Sequence, residues 1–160
     1  MKILGVDPGL RITGYGIVDF DGAKIRLVEA GTIEPKEKDL IQNRISKIYK
    51  NLDDIIKEHK PDIMVLEKLY THYHHPVTAC VLGHVRGVIC LLSAQRNIRL
   101  IEQGVRKIRQ SVTGKGAASK LQTQGMVAHV LGIDQKKLTI DAGDALALAL
   151  GFIHLNRNKL

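Results

Sequence analysis

Four acidic residues stand at the edges of apolar segments, where a charged side chain is costly to bury: Asp7, Glu67, Asp141 and Asp144. The first two end short apolar runs, and the last two open an Ala- and Leu-rich segment. If the fold gathers these acids, their mutual repulsion raises their pKa values unless cations relieve it. Carboxylate oxygens suit Mg²⁺, with Mn²⁺ as a substitute, and two such ions about 3.5–4 Å apart can promote phosphodiester hydrolysis. The pattern therefore predicts a catalytic site with two metal ions.

Each of these acids also has a purely structural explanation. Asp7 belongs to an Asp-Pro-Gly turn, and Glu67 is consistent with a solvated strand exit. Asp141 and Asp144 would suit the first turn of a helix, because the helix dipole favours negative charge there. Only the joint placement of the four residues favours chemistry, and both interpretations stay open at this point.

The elements that carry the acids follow from the hydrophobic pattern. Strands are predicted over 2–7, 13–20, 24–33, 63–66 and 98–101, and helices over 38–59, 77–95, 105–112 and 119–131. The first three strands are joined by short turns and form an antiparallel meander. Strands that alternate with helices after such a start predict an α/β fold. We expect one domain, residues 1–160, with a mixed five-stranded sheet, parallel strands after the meander and helices on both faces.

The segment Ile140–Leu150 fits two kinds of element. Its alternation of Ala and Leu is typical of a strand, but both residues are strong helix formers. A helix would place Asp141 and Asp144 on one face, with Cβ atoms about 5–6 Å apart, whereas a strand would separate them. Because five strands precede this segment, we predict a last, buried helix.

Charge and composition narrow the class of protein. The 160 residues carry a net charge of +8, and a basic tract indicates a polyanionic partner, most often nucleic acid: Arg96, Arg99, Arg106, Lys107, Arg109, Lys115 and Lys120. A solvated basic surface is the alternative.

The N-terminal segment lacks the long apolar region of a signal peptide, and His84 and Arg86 interrupt the most apolar stretch. We expect a cytoplasmic protein in which Cys80 and Cys90 are reduced and buried.

Five motifs together resemble RuvC-type Holliday junction resolvases: GVDPGLRITGYGIV, LEKLY, LGHVRGV, VTGKGAASKLQTQGMV and DAGDALALAL. They occur in order and at family-like spacing over nearly the whole chain. The resemblance implies an RNase H-like fold and a homodimer that nicks opposing strands of a four-way DNA junction, with metal ions, during recombination and repair. It places the catalytic, metal-binding carboxylates on the same four acids. It also implies a branch-migration motor complex as a possible partner.

Seven residues are predicted to bind DNA: Tyr70, Tyr73, Arg86, Lys107, Arg109, Lys115 and Lys120. The resemblance assigns Tyr70, Arg86 and Lys120. Arg109 stands where the family commonly carries lysine, and neighbouring Lys107 is predicted to share that role. Tyr73 could stack on exposed bases, and Lys115 lies in a Gly-Lys-Gly loop that lets the backbone approach phosphate.

A second departure from the family pattern is the stretch YTHYHHPVTA, which is one residue longer and rich in histidine. A mobile loop near DNA is favoured over a transition-metal site, since His72, His74 and His75 form no closed ligand set. We place the dimer interface on helix 77–94, where Gly83 and Gly87 would allow close helix contact.

Two other functions remain open on the sequence. An actin-like ATPase or sugar kinase would use the DPGLRITGYG segment to bind phosphate, although such proteins need two related domains. An RNase H-like nuclease that acts on RNA would carry the same acids and the same basic charge. A junction-binding protein without catalysis is disfavoured by the complete set of four carboxylates.

Overall fold

The computed structural model describes residues 1–68 and 76–160. Within these residues one sheet has the strand order β3-β2-β1-β4-β5. Its strands are β1 (Lys2–Asp7), β2 (Thr13–Phe20), β3 (Ile25–Ile33), β4 (Ile63–Glu67) and β5 (Arg99–Gln103). The first three are antiparallel, and β4 and β5 run parallel to β1. The predicted meander, followed by parallel strands, is confirmed.

The helices are α1 (Ile41–His59), α2 (Pro76–Gln95), α3 (Val105–Thr113), α4 (Lys120–Leu131) and α5 (Ile140–Asn156). Two short 3-10 turns, Gln135–Lys137 and Arg157–Lys159, stand before and after α5. The predicted start of α1 at Lys38 was three residues early. The backbone N–H of Asp39 donates to Lys36 (3.1 Å), and this turn delays the helix.

Helices cover both faces of the sheet, as predicted. One core joins α3, α4 and α5 to the sheet and includes Ile3 and Leu146. The other lies under α1 and α2 and includes Leu4 and Ile89. The neighbouring β1 residues Ile3 and Leu4 therefore face opposite cores, as the period of two in a strand requires.

Helix α5 is buried along most of its length and lies directly on β1 and β2. Two glycines of the sheet make this contact possible. A Cβ on Gly5 would lie 1.9 Å from the carbonyl oxygen of Ala145, and one on Gly14 would lie 2.1 Å from that of Asp141. The backbone of α5 thus occupies the space that side chains at these two positions would fill. The prediction that Ile140–Leu150 is helical is confirmed.

Helix α2 is apolar both on the side that faces the sheet and on the side that faces outward. Val85, Ile89 and Leu92 are buried in the core, whereas Leu91 is 54% exposed. In the described part of the chain, Val77–Gln95 is the one helix long and apolar enough to cross a membrane, although its inner face belongs to this core. The prediction that Cys80 and Cys90 are buried was wrong: both lie exposed. A helix that is apolar all round gives no sequence signal for which side faces the core.

Candidate active site

Two of the predicted catalytic acids leave neighbouring strands at the same edge of the sheet. Strands β1 and β4 are parallel, and Val6 pairs with Leu66. The next residues along the two strands are Asp7 and Glu67. Because functional groups collect beyond the carboxyl ends of parallel strands, this register brings the two carboxylates together.

The other two acids, Asp141 and Asp144, lie in the first two turns of α5. Thr139 caps this helix and accepts a hydrogen bond from the N–H of Ala142 (3.3 Å). Gly14 pairs with Asp7 across β1 and β2, and its open face receives the backbone of Asp141. The start of α5 is therefore held beside Asp7, with Asp141 and Asp144 on adjacent parts of the helix.

A cavity of about 230 Å³, which we call the acidic pocket, contains three of the four acids and two predicted DNA-binding residues. Its lining residues are Asp7, Glu67, Val105, Ile108, Arg109, Lys120, Thr123, Asp144, Ala147 and Leu148. Asp141 does not line this cavity, although its charge acts on Asp7 and Lys120. The apolar and threonine lining was not predicted, because on α3, α4 and α5 such residues read as ordinary core positions.

Burial and like charges act together on the carboxylates. Burial, followed by the charges of Asp144 and Glu67, raises the pKa of Asp7 to about 7. Burial also raises the pKa of Glu67, with a further contribution from Asp144. Lys120 opposes both shifts. The pocket thus disfavours the charged form of both carboxyl groups.

Lys120 enters the acidic pocket from the first residue of α4. A capping box at Ser119 fixes the start of this helix, since the Ser119 hydroxyl accepts from the N–H of Gln122 and the Gln122 side chain accepts from that of Ser119. The Lys120 ammonium donates a hydrogen bond to Oδ2 of Asp144. Burial alone would lower the pKa of Lys120, but the hydrogen bond and charge of Asp144 raise it above its ordinary value.

The carboxylates fit divalent cations by their chemistry. Asp7, Glu67 and Asp144 present oxygen ligands to one cavity, and a cation there would offset both the burial and the like charges that raise the pKa of Asp7. However, no three His, Cys, Asp or Glu side chains within residues 1–68 and 76–160 are grouped so as to hold an ion. The carboxylates that could bind a cation are thus present in one cavity but are not grouped around one position, and Lys120 is hydrogen-bonded to Asp144.

Arg86 is buried next to Glu67 and does not line the acidic pocket. The residue is 7% exposed, and its guanidinium donates to the backbone oxygen of Glu67 and to the Glu102 carboxylate. Glu102 lies on β5, opposite Leu66 in the register with β4. Sequence reasoning missed Glu102, because a single acid in a basic tract carries no signal of its own. The predicted DNA contact of Arg86 stays a prediction, whereas its partners here are protein groups.

The remaining predicted DNA-binding residues divide into two groups. Lys107 and Lys115 are exposed, and the hydroxyl of Thr113 accepts from the N–H of Lys115 (3.1 Å) in the loop after α3. Tyr70 and Tyr73 form the second group and lie outside the described residues, as do His72, His74 and His75 of the histidine-rich stretch.

Comparison with known proteins identifies the family. The family model of crossover junction endodeoxyribonuclease RuvC matches residues 3–152. The chain belongs to the RuvC family. The RuvC proteins of Rhodopirellula baltica and Photorhabdus laumondii are 35% and 38% identical to it, each over 158 residues. That alignment covers 99% of this chain in both cases, and 89% and 90% of the two relatives.

Structural comparison agrees with the sequence comparison. A structure of T. thermophilus RuvC in complex with a Holliday junction substrate matches with a TM-score of 0.89 at 21% identity, over 99% of this chain and 97% of that one. The yeast mitochondrial Holliday junction resolvase Ydc2 matches with a TM-score of 0.69 at 12% identity, over 95% and 77%. The predicted RNase H-like fold and the predicted family are confirmed, and the actin-like alternative was wrong.

Proposed function

We propose that residues 1–160 form a single nuclease domain that resolves four-way DNA junctions by paired symmetric nicks, in recombination and repair. One observation carries the proposal: in a chain of the RuvC family, Asp7, Glu67 and Asp144 line one pocket together with Arg109 and Lys120. Acidic side chains beside basic ones suit a reaction on a phosphodiester, because the basic side chains attract the phosphate and the acidic ones hold the cations.

The proposed cofactors are two Mg²⁺ ions, for which Mn²⁺ can substitute. Asp7, Glu67, Asp141 and Asp144 would hold them, and when bound the ions polarise the phosphate and activate water. The residues of the chain have separate tasks. Arg109 and Lys120 line the pocket and orient the phosphate. Apolar Leu148 lines the same pocket and excludes water, which strengthens the electrostatic interactions inside it.

Binding of the DNA is proposed to extend beyond the pocket. Lys107 and Lys115 are exposed and are proposed to bind phosphate, and we assign Tyr70, Tyr73 and Arg86 to the same role from the sequence. Contacts of lysine and arginine with phosphate release counterions, so the affinity for DNA should fall steeply as salt rises. This surface supports a DNA substrate without specifying its sequence.

Symmetric nicking needs two active sites, and we propose that a homodimer supplies them through residues 77–94 of α2. Leu91 and Val77 are exposed on the outward face of this helix, and a Cβ on Gly83 or Gly87 would meet nothing within 4 Å. An apolar face with small residues suits close contact with a second copy of the helix. From the family we also propose a branch-migration motor complex as a partner, and a cytoplasmic location.

A nicking assay tests the proposed function. A synthetic four-way DNA junction, a linear duplex of the same sequence and a matched RNA–DNA hybrid are incubated with the chain, in Mg²⁺ or in chelator. We expect paired, symmetric nicks in the junction only, which vanish in chelator. Equal cutting of the linear duplex would contradict the proposal, and preferential cutting of the hybrid would favour a nuclease that acts on RNA.

A further inference from the structure

Lys120 places a positive charge inside the acidic pocket. Its ammonium is bonded to Asp144, while Asp7 and Glu67 line the same cavity. Within residues 1–68 and 76–160, this is the one ion pair that involves any of the four predicted metal ligands. Lys120 is therefore an internal counter-cation of a carboxylate that the proposed function assigns to a metal ion.

The two partners differ in how easily they can move. The Asp144 side chain is 17% exposed and belongs to a buried helix, whereas that of Lys120 is 54% exposed. The capping box at Ser119 fixes the backbone of Lys120, but the flexible stem of the lysine can turn toward solvent. A phosphate that approaches from solvent can thus attract the ammonium without any change in the helices.

The arrangement of the acids is consistent with competition between Lys120 and a metal ion for Asp144. No three of the described His, Cys, Asp or Glu side chains are grouped to hold an ion while Lys120 is bonded to Asp144. A cation that takes an oxygen of Asp144 must displace the ammonium or share that carboxylate with it. In either case the positive charge of the ammonium disfavours a second cation at the same carboxylate.

We propose that Lys120 is a positioning residue that occupies Asp144 until a DNA phosphate draws the ammonium away, so that DNA binding frees Asp144 for a divalent cation. The inference rests on the proposed function, in which Asp144 is a metal ligand. DNA and metal then favour the same state, in which the pair is broken, and by linkage each raises the affinity for the other. The chain without DNA holds metal weakly.

Metal affinity without DNA tests the competition. Isothermal titration with Mn²⁺ alone compares the wild-type chain with Lys120→Met, Lys120→Arg and Lys115→Met. Lys115→Met removes the same charge from an exposed loop residue that does not line the acidic pocket. We expect Lys120→Met to bind Mn²⁺ roughly ten- to a hundred-fold more tightly, because a charged hydrogen bond no longer competes. Lys120→Arg should stay near the wild type, since it keeps the charge and can pair with Asp144.

The same experiment can overturn the proposal. If Lys120→Met gains no more affinity for Mn²⁺ than Lys115→Met, the effect is one of net charge and Lys120 does not occupy the metal position. If Lys120→Arg gains as much as Lys120→Met, the competition does not depend on a cation at this point, and the inference also fails.

Junction affinity in chelator tests the DNA side of the coupling. Asp144→Asn frees the ammonium of Lys120, so it should bind a four-way junction more tightly than Asp141→Asn, which removes the same charge outside the cavity. The extra gain should disappear when Lys120→Met is added. Equal gains for the two aspartate variants, or a gain that survives loss of Lys120, would contradict the proposal. Nicking by the wild-type chain is scored separately, so failure of the coupling is distinct from failure of the nuclease function.

Discussion

Gly14 and Asp141 are in direct contact through the backbone. A Cβ on Gly14 would lie 2.1 Å from the carbonyl oxygen of Asp141, and Gly14 is also the β2 partner of Asp7. One residue without a side chain thus sets the distance between the strand that carries the first acid and the helix that carries the last two. In the sequence this glycine only weakens a strand, whereas in the structure it lets α5 approach the sheet.

Gly14→Ala should impair catalysis through this contact. The added methyl group pushes the first turn of α5 away from β2, and a displacement of about 1 Å in an active site can reduce the rate roughly a hundred-fold. Gly5→Ala is the comparison, because its methyl group meets α5 at Ala145, farther from the acids. At equal loss of thermal stability, Gly14→Ala should lose more nicking activity. Equal activity of the two variants would show that the glycines act only on folding.

Asp7→Asn should abolish nicking and leave junction binding intact, since it removes a metal ligand without removing a basic group. Without metal at pH 8, the variant should also be more stable than the wild type, by roughly 1–3 kcal/mol, because a buried charge near three other acids is lost. A nicking assay, junction binding in chelator and thermal unfolding measure these three properties. Asp54→Asn, on an exposed aspartate, is the control and should change none of them. Retained nicking by Asp7→Asn would contradict the assignment.

Stability of the metal-free chain should depend on pH through Asp7. Its pKa is about 7 in the folded chain against an ordinary value of 3.8, so the folded state binds this proton more tightly. The stabilising contribution is therefore present at low pH and is lost as the pH rises through 7. Urea unfolding between pH 5 and pH 8 should show this decline in the wild type and a flatter profile in Asp7→Asn. Mg²⁺ should restore stability above pH 7, where the carboxylate is charged.

Loss of charge at Arg86 should affect the stability of the fold, whereas loss of charge at Lys115 should affect DNA binding. Arg86→Met leaves the Glu67 carbonyl and the Glu102 carboxylate without their donor, so the free energy of unfolding should fall by roughly 1–3 kcal/mol. Lys115→Met should leave stability unchanged and reduce the salt dependence of junction binding by about one phosphate contact. Thermal unfolding and binding at several salt concentrations separate the two. A stable Arg86→Met chain with a reduced salt dependence would favour the predicted DNA contact instead.

Local patterns predicted much of this architecture. Apolar runs that end in turns located β1 and β4, and hence the shared edge at which Asp7 and Glu67 lie. The high helix propensity of Ala and Leu, together with five earlier strands, identified α5 as the buried helix that carries Asp141 and Asp144. These predictions succeeded because each depends on residues that are close in the sequence.

Contacts between distant elements carried no such signal. Lys120 and Asp144 are 24 residues apart on two helices, and their pairing depends on how α4 packs against α5. The burial of Arg86 and the exposure of both cysteines depend on which side of α2 faces the sheet. Since this helix is apolar on both sides, its sequence does not decide the question.

The outward face of α2 should determine the oligomeric state. Leu91→Glu places a charge on the proposed interface between two copies, where burial without a partner is costly, and should convert a dimer to a monomer. Leu40→Glu is the matched control, because Leu40 is 64% exposed and precedes α1. Light scattering on a sizing column measures the mass of each variant. The Leu91→Glu monomer should bind DNA but lose paired nicks, since it retains one acidic pocket per molecule. A Leu91→Glu dimer, or a monomeric wild type that makes paired nicks, would contradict the proposed interface.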